Sequence, residues 1–216
     1  IHELGLCTSQ PIQTGSPRTF SKDDCVVTMT STGVTADLAN NVVSLPEMDG
    51  RPASDTYTHA YIIITNTFGL RGSVSIQNGS GDEVKYCSGT NGDSTAGTTA
   101  ASGFCTAQDH TETLDDFGDG TFSAYFAPAT MDGGGKVSAL LTAADANLTT
   151  ATNTGEVERL IGVFETNSGT PVVINDSTNG LEMQLTVTDI GYGIQFVNGE
   201  PYDFGSMPFK PVFATF

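Results

Sequence analysis

Tryptophan is absent from the 216 residues, and basic side chains are scarce, with 8 Lys and Arg against 25 Asp and Glu. No apolar run reaches the ~18 residues that a membrane-spanning helix needs, so membrane insertion is not expected. The formal net charge of −17 excludes nucleic acid as a partner, because a surface this acidic repels a phosphate backbone. Anionic lipid headgroups are disfavoured for the same reason. A cationic partner, bound divalent ions or plain solubility all suit such a surface. Without Trp, the chain lacks the largest aromatic face on which sugar clefts are commonly built. Gly-x-Ser-x-Gly is missing, so no nucleophile elbow is encoded. Gly133-Gly134-Gly135 reads as a turn and not as a phosphate loop.

What is present favours strands. Ser, Thr, Gly, Asn and Asp are abundant, a mixture that supports short strands joined by many turns. Leu181, Met183, Leu185 and Val187 alternate with polar neighbours, which predicts a strand with one wet face. Thr121 to Phe126, Ser73 to Gln77 and Cys25 to Thr30 alternate in the same way. Tyr61-Ile62-Ile63-Ile64 is continuously apolar and predicts a central strand covered on both faces. Val157 to Phe164 is read as a strand, and Ala143 to Leu148 is the best helix candidate. Turn signals separate these runs, among them Asn78-Gly79, Asp119-Gly120, Asp132-Gly133 and Asn198-Gly199. Asn179-Gly180 suggests a tight hairpin joining residues 171–175 to 181–188. The expected fold is all-β, a two-layer antiparallel β-sandwich.

The four cysteines form two local pairs, Cys7/Cys25 and Cys87/Cys105, each 18 positions apart. Local pairing is the simplest of the three connectivities. A metal site is the alternative, but no C-x2-C spacing exists and only His2, His59 and His110 are available to assist. Disulfides place the chain outside the cell, secreted or at the cell surface. The opening Ile1-His2-Glu3-Leu4 reads as a mature or trimmed start. Residues 88–103 are low in complexity and read as a surface loop closed by the second cysteine pair. Asn78, Asn147 and Asn175 head N-x-S/T sequons, glycosylation acceptors if the source is eukaryotic.

The stretch Leu114-Asp115-Asp116-Phe117-Gly118-Asp119-Gly120-Thr121-Phe122-Ser123-Ala124-Tyr125-Phe126, followed by Gly134-Gly135-Lys136-Val137-Ser138, carries a family likeness. It resembles the G-D-G-x-Y-S-x-x-F hairpin of extracellular immunoglobulin-like sandwich modules, found in chloride-channel-accessory-like secreted proteins and in bacterial surface proteins. The likeness covers about residues 58–145 and includes Gly72-Ser73-Val74-Ser75-Ile76 upstream. It departs from the pattern in the insert between Cys87 and Cys105, in a shorter Asp-rich turn, and in Lys136-Val137 where an aromatic is usual. The resemblance implies an immunoglobulin-like centre and an extracellular setting, and no reaction. The chain is accordingly divided into N-terminal strands with a disulfide loop (1–57), an immunoglobulin-like module (58–146) and C-terminal strands (147–216) that complete the sandwich or form a second small β domain.

Asp115, Asp116 and Asp119 lie within five positions among glycines. Calcium is the cation such an oxygen-rich turn would take; a plain Asp-Gly turn is the competing reading. No other cofactor is implied. A catalytic carboxylate pair cannot be picked out among 25 acids, although Glu182 with Gln184 on a wet strand face, near Tyr192 and Tyr202, is the arrangement to inspect. The C-terminal Phe209, Val212, Phe213 and Phe216 either complete the chain's own sandwich or pair with a neighbouring subunit. These readings anticipate a non-enzymatic extracellular structural or adhesive protein, a surface or filament subunit. Its partners would be further copies or other extracellular proteins. The alternative is a secreted protein that binds or cleaves carbohydrate, with polysaccharide as its partner.

Overall fold

β-branched and aromatic residues, interrupted every few positions by Gly, Asn, Asp or Pro, leave the chain little choice but short strands. The computed structural model describes residues 1–37, 45, 51–131, 134–166, 170–186 and 191–216. In chain order the strands are β1 (Glu3–Cys7), β2 (Ile12–Gln13), β3 (Thr19–Phe20), β4 (Cys25–Thr30), β5 (Asp55–Tyr57), β6 (His59–Thr65), β7 (Thr67–Leu70), β8 (Ser73–Gln77), β9 (Glu83–Cys87) and β10 (Thr98–Thr99). There follow β11 (His110–Thr113), β12 (Tyr125–Thr130), β13 (Lys136–Thr142), β14 (Arg159–Glu165), β15 (Val172–Ile174), β16 (Leu181–Thr186), β17 (Tyr192–Val197), β18 (Glu200–Ser206) and β19 (Lys210–Thr215). Every strand pairing is antiparallel, and helix is limited to two single 3₁₀ turns, Ala100–Ser102 and Thr154–Glu156, among the described residues.

The chain forms two compact units that are not continuous in sequence: the first takes residues 1–66, 114–186 and 210–216, the second 67–113 and 187–209. The 58–146 segment therefore contributes to both.

The first unit is built on a six-stranded sheet in the order β12-β13-β14-β6-β1-β4. β6 lies between β14 and β1 in the sheet and is packed over on both faces, which explains why Tyr61 to Ile64 is apolar at every position. One face carries Cys7, Tyr61, Ile63, Leu140, Ile161 and Val163, packed under Ile12 and Phe20 of the β2–β3 hairpin. On the opposite face Leu6 and Ala60 pack against Tyr57, Val172 and Ile174 of the β5–β15 ribbon, with Leu181 and Phe213 of the β16–β19 ribbon alongside. The expected two-layer antiparallel sandwich is thus present, with the two ribbons as its second layer. Cys7 and Cys25 sit directly opposite on β1 and β4 and are bonded, so the first disulfide joins neighbouring strands beside the core.

In the second unit β7 pairs with β11, β8, β9 and β10 form a three-stranded sheet, and β17 pairs with β18. Cys87, at the end of β9, is bonded to Cys105 and closes the 88–103 loop as expected.

Several local expectations fail. Ala143 to Leu148 is not a helix: Asp145 Oδ1 accepts from the N–H groups of Asn147 and Thr149, and this side-chain cap stabilises a turn instead. The strand expected at 121–126 begins only at Tyr125, because the Ser123 N–H is taken by the Asp116 carboxylate. Asn179-Gly180 does not close a hairpin between 171–175 and 181–188. β15 pairs with β5 and β16 with β19, and the N–H groups of Asn179 and Gly180 donate to Phe216 O. Residues 187–188 of that expected strand, and the Asp132-Gly133 turn, lie outside the described residues.

Candidate functional site

The Asp-rich turn folds around one carboxylate. Asp116 Oδ1 accepts from Gly118 N–H at 2.7 Å and Ser123 N–H at 2.8 Å, and these bonds hold its carboxyl below the usual range. Asp115 stands next to it and Asp119 is exposed at the tip of the turn. Among the described residues no three His, Cys, Asp or Glu side chains converge in a way that would hold a metal ion. Through its bonds to Gly118 and Ser123, Asp116 clasps the turn.

Glu182 and Gln184 are exposed on β16 and bond to each other, Gln184 Nε2 donating to Glu182 Oε1 at 2.9 Å. Tyr192 and Tyr202 are separated by burial: Tyr202 is 60% exposed, whereas Tyr192 stacks on Phe204 at 5.5 Å. The three sequon asparagines all sit in exposed turns. Asn78 Oδ1 accepts from the N–H groups of Ser80 and Asp82, Asn147 donates its own N–H to Asp145, and Asn175 Oδ1 accepts from the Ser177 hydroxyl at 2.6 Å. The C-terminal run pairs with the chain's own β16, and Phe213 enters the core, although Phe216 remains 70% exposed.

The histidines divide similarly. His2 meets Thr65 Oγ1 at 3.1 Å, and His59 meets Thr58 Oγ1 at 3.0 Å; burial lowers the pKa of both. His110 opens β11 and is buried with neither ring nitrogen hydrogen-bonded. Its ring is 6.1 Å from that of Tyr192, whose hydroxyl is also buried without a partner. Burial pushes the Tyr192 phenol up, and Glu112 and Asp203 add to that. Ser88 is close by, but its hydroxyl donates to Gln108 O at 2.8 Å. Gly72 leaves the space for the Tyr192 ring: a Cβ there would stand 1.9 Å from Cε1. A histidine this enclosed is a poor base for a solvent-borne substrate, because nothing can reach its nitrogens.

Above this interior lies the β17–β18 hairpin, where exposed apolar side chains concentrate: Phe196 (51%), Val197 (44%), Tyr202 and, just after β18, Met207. The two strands have unequal outer edges. That of β18 is occupied, since Phe204 N–H donates to Gly92 O at 3.0 Å and Ser94 N–H to Tyr202 O at 2.9 Å. β17 has no strand partner other than β18 among the described residues. Its sequence, Tyr-Gly-Ile-Gln-Phe-Val, contains neither a charge nor a proline, the usual protections of an edge strand. Tyr192, Ile194 and Phe196 do alternate with Gly193 and Gln195, a period that the sequence reading did not take up as a strand.

Two surface depressions lie on the first unit. One, of about 150 Å³, is polar and lined by Ser9, Gln13, Ser21, Asp23 and Asp24. The other, of about 270 Å³, lies between β15 and β19 and is lined by Thr166, Thr170, Val172, Val173, Phe213 and Thr215. In the first, the Ser9 hydroxyl donates to Asp24 Oδ2 at 2.7 Å, and no histidine lines either depression.

No family model, curated protein or solved structure matches this chain.

Proposed function

We propose that the protein is an extracellular structural or adhesive module, a surface or filament subunit, that joins other molecules through an open strand edge. The observation that carries this reading is β17, whose outer edge has no strand partner among the described residues and which ends on exposed Phe196 and Val197. Two disulfides support an oxidising, extracellular setting, and no helix among the described residues is long and apolar enough to cross a membrane. The immunoglobulin-like kinship of residues 58–145 belongs to the same reading and rests on their motif.

Light scattering on a sizing column, with negative-stain microscopy of the same fractions, tests this function. Filaments, rings or a stable complex with a second extracellular protein are expected. A monomer that captures nothing would overturn it. Running the same fractions with a chelator also tests the Asp115–Asp119 turn: assembly that depends on a divalent ion would give that turn a metal. A second reading, carbohydrate binding, is favoured by the exposure of Tyr202 beside Glu200 and Asp203, an aromatic face next to hydrogen-bond acceptors. A glycan array tests it.

A further inference from the structure

We infer that the outer edge of β17 takes up a cationic, extended peptide segment as an added strand, with Lys or Arg at alternate positions and apolar residues between them. The inference rests on the proposed edge-binding role and names its partner.

The register decides the pattern. Across β17 and β18, Gln195 faces Asp203 and Val197 faces Glu200, so these four side chains share one face of the hairpin. Asp203 is in turn bridged to Asp93, which places two exposed carboxylates opposite each other in one cross-strand row. Like charges so placed repel and are relieved by a cation. Residues 192–206 contain Glu200 and Asp203 but no Lys or Arg. Arg71, the basic side chain that leads into β8, is already bonded to Ala107 O and Asp109.

A strand added to β17 lies about 10 Å, two strand spacings, from β18. That is within reach of a Lys or Arg stem extending over Gln195 or Val197 toward Asp203 or Glu200. On the other face, the side of Ile194 and Phe196, the added strand meets apolar surface. Backbone pairing supplies affinity, and the alternating pattern supplies specificity. Charge disfavours a second copy at this edge, since each brings a formal −17, so copies that assemble meet through other surfaces.

The test uses the intact protein and three capped seven-residue peptides: alternating Lys and Val, alternating Glu and Val, and the Lys peptide with a central Pro. Binding is followed by calorimetry at low and moderate salt, and amide exchange of 192–197 by NMR. The Lys–Val peptide is expected to bind and to slow exchange along β17. Its affinity should fall at least tenfold with salt, and again in the D203N/E200Q variant, while the other two peptides fail. A V197K variant should lose binding with its spectrum otherwise unchanged. Equal binding by the Glu peptide, or protection at another edge, would overturn the inference. If the Lys peptide fails while the protein assembles with itself, the cationic partner is wrong and the structural reading stands. A monomer that binds none of the peptides removes both.

Discussion

Gly5 lies opposite Tyr61 in the β1–β6 pair, and the tyrosine ring lies across it: a Cβ at Gly5 would be 2.2 Å from Tyr61 Cε1. An aromatic covering a cross-strand glycine is a known way to pin register. Here the ring is also held by its hydroxyl, which donates to Glu3 Oε1 at 2.6 Å, and by an edge-on contact with Phe20 at 5.1 Å. Gly5→Ala must displace that ring. The lost bond to Glu3 costs about 1.5 kcal/mol, the low end for a charged acceptor, because Glu3 keeps its ion pair with Lys22 at 2.7 Å. The Phe20 contact is worth about 1 kcal/mol, and crowding in a filled core adds about 1–3 kcal/mol. Against this, alanine is favoured over glycine within a strand by roughly 0.5–1 kcal/mol. The net expectation is a loss of about 2.5–5 kcal/mol. In a Tyr61→Ala background, itself costing about 3–5 kcal/mol, the same Gly5→Ala change should be neutral or slightly stabilising, since nothing remains to displace. Urea unfolding of the four proteins in this cycle, followed through the amide signals of β6, measures the coupling. An equal loss from Gly5→Ala in both backgrounds would refute the account.

Other expectations are as specific. Replacing Cys7 and Cys25 together by Ala, or Cys87 and Cys105, should each cost about 3 kcal/mol, since both loops span 18 positions; amide exchange should place the first loss in the six-stranded sheet and the second in the other unit. His110→Leu should stabilise by about 1–2 kcal/mol, because two buried nitrogens without partners are removed; a lower melting temperature would mean that an ordered water already satisfies them. Acid should weaken the fold in two stages. His2 and His59 have folded pKa values below the ordinary 6.5, so their unfolded forms take protons first and stability falls as the pH drops below about 6.5. Asp116, Asp145 and Glu156 are held below 3.8, 3.8 and 4.5 by hydrogen bonds, so the stability they contribute is complete above about pH 4.5 and is lost as the pH falls through their folded values. Melting temperatures from pH 7.5 to 3 check both stages; an H2Q/H59Q variant that keeps the first would refute its assignment.

How much of this was legible in the sequence depends on how local each cause is. β6 could be read from Tyr61 to Ile64 because burial on both faces writes itself into four consecutive residues. The disulfides were legible because 18-residue spacings leave few alternatives. Pairing partners were not. Asn179-Gly180 carries a hairpin signal, yet the N–H groups there go to Phe216, some 36 positions away, and no local pattern reports a partner so distant. The Asp115–Asp119 turn was read through its charges, while the contact that shapes it is the bond from Ser123 N–H to Asp116, which no charge pattern reports. β17 escaped notice because Gly193 is a poor strand former and Val197 ends the alternation of Tyr192, Ile194 and Phe196, although the absence of charge and proline is what leaves its edge unguarded.

Charge and edge together explain why an acidic β-protein can leave such a strand unprotected. Bare edges invite pairing with identical copies, and natural sheets prevent this by placing lysine, proline or a bulge on the strand itself. Here β17 carries neither lysine nor proline, and its pairing with β18 shifts register between Gln195 and Phe196; the carboxylates stand one strand away, on Glu200 and Asp203, with Asp93 beyond. Against a second copy these charges repel at encounter, through fields that reach about 10 Å at ordinary ionic strength. Against a cationic segment the same charges attract, and the uncharged edge then offers its backbone without a desolvated ion to compensate. Repulsion of self and attraction of a basic partner thus come from one arrangement, and both weaken as salt is added. Raising the salt should therefore loosen the cationic complex and favour self-association of the free protein in the same titration.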